Sequence, residues 1–197
     1  MIPSSVREEF PGLEEATSSD EDTVCGQMGK QFQGRILVAC RCPRSLPVVV
    51  LTLPFAGVGR PVPPLLWLTC PHSSSRSGTL ESSGAMRLVE QWLEADTDAA
   101  GQFAADEDSY CEIQREVALA TAGEQVADRL SARGVAGGKM GAIKCLHAHL
   151  AYRLALGPAG LDDERAGGRG AIGRWCLERL EQEGGYWCER PPSACIP

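Results

Sequence analysis

The apolar period of this chain changes once, at about Leu80, and that change limits the fold more than any other feature. Before it, Arg35-Ile-Leu-Val-Ala-Cys40 and Val48-Val-Val-Leu-Thr-Leu53 are short β-branched runs bounded by Gly or Pro, the pattern of buried strands. A turn-like Arg41 to Pro47 separates them, and Leu65 to Thr69, ended by Pro71, reads as a third strand. From Leu80 the spacing becomes helical, with Met86, Val89, Trp92 and Leu93 in phase. A longer helical stretch starts near Asp106, and a further segment carries Val126 and Leu130. Two more helices are predicted over residues 142–156, stopped by Gly157-Pro158, and 171–182. Strands first and helices after is an α+β order. The expectation is a small N-terminal sheet of about three strands followed by four or five helices. It forms a single domain over residues 29–197 with a Cys-rich C-terminal end.

Charge is distributed unevenly. Residues 1–28 hold seven acids against Arg7, a net of −6, whereas the whole chain of 197 residues is −7. That leaves −1 for residues 29–197. A Ser-, Glu- and Asp-rich segment of this kind buries too little apolar surface to offset its ordering entropy, so a disordered acidic tail is predicted, available to a protein partner. No apolar segment resembles an export signal, and none is long enough to span a bilayer. No basic stripe with interleaved aromatics suggests a nucleic-acid surface. A cytoplasmic protein follows from these readings.

The cysteines number nine, an odd count in a chain read as facing a reducing compartment, so disulfides do not account for them. Two short motifs concentrate the chemistry: Leu68-Thr69-Cys70-Pro71 and Lys144-Cys145-Leu146-His147-Ala148-His149. With Arg41-Cys42-Pro43, Trp67, Leu80-Glu81-x-x-Gly84 and Gly137-Gly138, they resemble the family of unknown function numbered 501 over roughly Gly34 to Cys188. The resemblance implies a small bacterial cytosolic protein, often encoded near cell-division and polyphosphate-related genes, and implies no activity. Arg44 stands where such proteins show a second cysteine, and Glu107 where they show a histidine.

Three chemistries compete. Cys42, Cys70, Cys145, His147, His149 and Cys188 offer thiolate and imidazole, which select zinc over magnesium or calcium, with an iron–sulfur cluster less favoured. In that reading the strand end at Cys70 meets the helix start at Cys145, His147 and His149. An open metal position would activate water for hydrolysis. Helical phase sets a condition. If Cys145 lies inside the helix, it shares a face with His149, while His147 faces Ile143, Leu150 and Leu154. At the helix cap that opposition relaxes. The second chemistry is metal-free cysteine catalysis by Cys70 or Cys145 with His147. The third is an anion site: Gly134, Gly137, Gly138 and Gly141, with Lys139 and Lys144, are read as leading into a helix N-terminus that binds a small anionic ligand. The spacing is not that of a nucleotide phosphate loop. Glu107, Tyr110 and Arg115 read as a solvated helix face. A non-enzymatic interaction protein remains the alternative to all three.

Overall fold

Short turns between consecutive apolar runs leave neighbouring strands little choice but to pair antiparallel. In the computed structural model, which describes residues 2–31, 34–54, 66–130, 133–157 and 168–188, they do so. Two elements precede the first expected strand: helix α1 (Ser4–Glu9) and the two-residue strand β1 (Glu14–Glu15), followed by helix α2 (Ser18–Met28). Strands β2 (Ile36–Arg41), β3 (Pro47–Thr52) and β4 (Leu66–Leu68) then complete a four-stranded antiparallel sheet in the order β1-β2-β3-β4. The β2–β3 turn closes through Cys42 N–H to Leu46 O and Ser45 N–H to Cys42 O. Every residue of β3 is buried.

The expected acidic tail is instead part of the fold. Ile2, Val6, Phe10 and Leu13 enter the same core as β2, β3 and the later helices. A capping box between Thr17 and Asp20 starts α2. Four of the seven acids that suggested disorder are paired with bases of the body: Glu9 with Arg169, Glu14 and Asp20 with Arg41, and Glu15 with Arg35. A bidentate contact with Arg41, at 2.7 and 2.9 Å, holds the Asp20 carboxyl well below the usual carboxylate range. Counting charge within the segment missed partners that lie elsewhere in sequence, and this also adds the fourth strand to the expected three.

Helix α3 (Pro71–Ser82) starts earlier than its weak apolar period suggests, because Pro71 occupies the first helical position behind the N-cap Cys70. Then follow α4 (Ala85–Ala95), α5 (Thr97–Ala122), α6 (Glu124–Leu130), α7 (Leu146–Ala155) and α8 (Ala171–Gln182), giving eight helices among the described residues against the four or five expected. None of them is long and apolar enough to cross a membrane.

Two neighbouring acids on α5 hold distant backbone. Asp106 accepts from Gly170 N–H and Ala171 N–H at 2.8 Å and so caps α8. Glu107 accepts from Val135 N–H at 2.8 Å and Gly141 N–H at 3.1 Å. Glu107 and Tyr110 are therefore buried, and of the supposed solvated face only Arg115 is exposed. Burial pushes the Asp106 carboxyl upward against its hydrogen bonds.

Helices α7 and α8 cross closely at Gly173, where a Cβ would overlap the His149 carbonyl and the Arg153 side chain. Gly173→Ala is expected to destabilise the protein by about 1–3 kcal/mol through overpacking. Gly101→Ala, on the exposed face of α5 with nothing near its would-be Cβ, is expected to stabilise by about 0.5–1 kcal/mol. Urea midpoints of the two variants check the contrast.

Candidate metal centre

The site forms where the N-terminus of α7 meets one row of α3. Ser74, Gly78 and Glu81 recur at i, i+4 and i+7 and so share a helix face. Cys145 is the N-cap of α7, extended at φ −156° and ψ 143°, and its side chain makes no capping hydrogen bond. Glu81 caps instead: its Oε1 accepts from Leu146 N–H at 2.6 Å, placing a carboxylate against the positive end of the helix.

His147 follows within the first turn. Its Nδ1 lies 3.0 Å from Glu81 Oε1, and its Nε2 lies 3.0 Å from the Ser74 carbonyl oxygen. Both partners are acceptors, so both ring nitrogens carry protons and the ring is an imidazolium. The neighbouring Cys145 thiol, against the opposing effect of burial, and then the bond to Glu81 raise its pKa to about 9. The ring lies over Gly78, where a Cβ would meet it only at ordinary contact distance, 3.9 Å. One ligand atom each from Glu81, Cys145 and His147 lie within 4.8 Å of one another. The side chains of His147 and Glu81 are 29% and 26% exposed, so the group opens to solvent on one side.

Of the residues singled out in the sequence, the structure brings Cys145 and His147 together. The cap position of Cys145 removes the forced choice of helical phase, and His147 is the histidine that turns toward the group. His149 lies on another face of α7, 3% exposed, with its ring 5.8 Å from Phe103 and Nε2 lacking a hydrogen-bond partner. Burial lowers its pKa to about 4.

Cys70 caps the start of α3, whereas Glu81 lies near the end of that helix, about 16 Å further along the axis at the α-helical rise. Instead Cys70 belongs with Cys40 and Cys42: burial, then the proximity of Cys42 and Cys70, push the Cys40 thiol up to about 12. Cys40 and Cys42 line a separate cleft of about 680 Å³, together with Arg41, Leu154 and Trp187. Cys188 follows Trp187 and is half-buried. Cys195 lies outside the described residues, and no disulfide joins the described cysteines.

The glycine-rich loop does not run directly into a helix, because α7 begins at Leu146 rather than at 142. Two of the loop's N–H groups bond the buried Glu107 carboxylate, so the loop already holds an anion from its own chain. Gly138 is buried under the stem of Lys144, while Lys139 is exposed. Glu81 was not singled out as a ligand from sequence, although it stands in the Leu80-Glu81-x-x-Gly84 motif.

A family model described as "Protein of unknown function (DUF501)" matches residues 38–162. The chain belongs to this family. The DUF501 region encloses Cys70, Glu81, Cys145 and His147 and ends before α8. No curated protein and no solved structure matches the chain significantly.

The two histidines impose opposite pH dependences. The folded-state pKa of His147 is above its ordinary value of 6.5, so its stabilisation is complete below about 6.5 and fades as pH rises through about 9. That of His149 is below its ordinary value, so stability is lost as pH falls from about 6.5 toward 4. Urea midpoints between pH 4 and 10 should show both slopes, the alkaline one missing in His147→Gln and the acid one missing in His149→Leu.

Proposed function

We propose that this protein is a zinc protein whose centre is held by Glu81, Cys145 and His147, and that the centre is hydrolytic. The observation that carries this reading is the convergence of thiol, imidazole and carboxylate atoms within 4.8 Å at one helix start. Sulfur, nitrogen and oxygen donors of this kind suit zinc. Bonds of about 2.0–2.3 Å in a tetrahedron separate ligand atoms by roughly 3.3–3.8 Å, so side-chain adjustment of about an ångström completes the geometry. The outer contact also fits: the Nε2–H bond to the Ser74 carbonyl fixes the ring and leaves Nδ1, once deprotonated, for the metal.

Three protein ligands and a solvent-facing side correspond to a catalytic zinc site, in which the remaining position holds a water of lowered pKa. Lys144, next to Cys145 in the chain and with its stem over Gly138, would supply positive charge for a small anionic substrate group, with Lys139 exposed in the same loop. Zinc must displace the Nδ1 proton held by Glu81, so uptake releases protons and strengthens as pH rises.

The closeness of the Cys145 sulfur to the His147 ring, within 4.8 Å, supports a second reading, a metal-free cysteine enzyme. In that reading His147 acts as a cation beside the sulfur, because Glu81 and Ser74 occupy both ring nitrogens and leave no lone pair to receive a proton.

Zinc analysis of purified protein separates the readings. The expected result is about one equivalent of zinc in the wild type. Cys145→Ser and Glu81→Gln should each weaken binding by at least about 10-fold, while Cys70→Ser and His149→Leu retain it. Absence of zinc after dialysis against it, together with rapid alkylation of Cys145 at neutral pH, would establish the second reading in its place.

A further inference from the structure

The glycines of α8 reveal how that helix lies against α7. A Cβ at Gly170 would meet Arg153, and one at Gly173 would meet both Arg153 and the His149 carbonyl. Moving forward along α8 thus moves backward along α7, an antiparallel register. One further turn brings α8 to Cys176 and α7 to its N-cap, Cys145. Glu81 and Cys145 lie near enough to act on the Cys176 thiol, which burial first, against Arg179, holds well above its ordinary range. Cys176 is fully buried and Cys145 is half-exposed, so one thiol is reachable from solvent and the other waits behind it.

We propose that Cys145 and Cys176 are a redox pair, in which a hydroperoxide oxidises Cys145 and Cys176 closes the disulfide. The Cys145 sulfur attacks one peroxide oxygen. The O–O bond breaks, the leaving oxygen takes a proton to become water or an alcohol, and Cys145 becomes a sulfenic acid. The Cys176 sulfur then attacks the Cys145 sulfur; the S–S bond forms, the S–O bond breaks, and hydroxide leaves as water with the Cys176 proton. Two thiols have lost two electrons and two protons, and the peroxide has accepted both. The pairing stands without a metal. Its regulatory consequence rests on the zinc reading, because a disulfide at Cys145 removes a ligand and expels the ion.

Trypsin makes the pair readable. Cleavage after Lys144 and Arg153, and after Arg174 and Arg179, isolates each cysteine in a peptide that contains no other. The full-length wild type, treated with stoichiometric hydrogen peroxide, alkylated and digested, should yield the 145–153 peptide joined to the 175–179 peptide. Dithiothreitol should reverse it, and Cys176→Ala should accumulate Cys145 as sulfenic or sulfinic acid. Joining of Cys145 to any other cysteine, or oxidation elsewhere while Cys145 stays reduced, would overturn the proposal. A chromogenic chelator in the same reaction keeps the two readings apart. Zinc release in step with the disulfide supports both. A disulfide in protein that never holds zinc supports the pair and removes the metal centre. Peroxide-treated protein that retains zinc without the disulfide removes the pair.

Discussion

Almost everything in this fold is arranged around one buried helix. From Ala148 to Ala155 every residue of α7 is inaccessible, and Leu146 is too, so the helix has no solvent face. It is packed by β2, β3 and β4 on one side and by α3 and α8 on others. Such a helix touches water only at an end. His147 is its one residue that is not fully buried, and it lies beside the N-cap Cys145. The chemical groups are therefore gathered at that end because the rest of the helix has no room for them. The absence of a Cβ at Gly173 sets how closely α8 can cover the opposite side.

Buried carboxylates supply the second layer of organisation. Asp106 and Glu107 are consecutive on α5 yet bind backbone N–H groups in two different places, the start of α8 and the glycine-rich loop. A buried acid is costly unless its oxygens are satisfied, and each of these receives two backbone donors. Glu81 does the same for the start of α7, in a half-exposed setting that keeps it accessible. That difference in exposure separates a structural carboxylate from a candidate ligand: the first two are closed within the protein, whereas Glu81 shares solvent with Cys145 and His147.

The charged N-terminal segment follows the same logic. Glu9, Glu14, Glu15 and Asp20 are matched to Arg35, Arg41 and Arg169, and the apolar residues Val6, Phe10 and Leu13 dock on the common core. Because Glu9 joins both Arg169 and the Tyr152 hydroxyl, this segment is tied to the region where α7 ends and α8 begins.

The amino-acid sequence by itself determined the α+β order, the β2 and β3 strands nearly to the residue, the span of α8, and the placement of Cys145 and His147 together at a helix start. Those features rest on local signals: β-branched runs between turn residues, helical period, and a motif dense in ligand side chains. Other features were decided by tertiary structure alone. The acidic segment folds because its partners are far away in sequence, which local charge counting does not see. Glu107 and Tyr110 are buried because α5 is covered on more than its apolar stripe. His149, two residues on from His147 and so on nearly the opposite side of α7, packs against Phe103 and away from the Glu81–Cys145–His147 group. Glu81 replaces Cys70 because α3 presents the far end of its row, and not its cap, to the start of α7. A motif can name the residues that carry chemistry, but which of them face one another depends on how two helices cross.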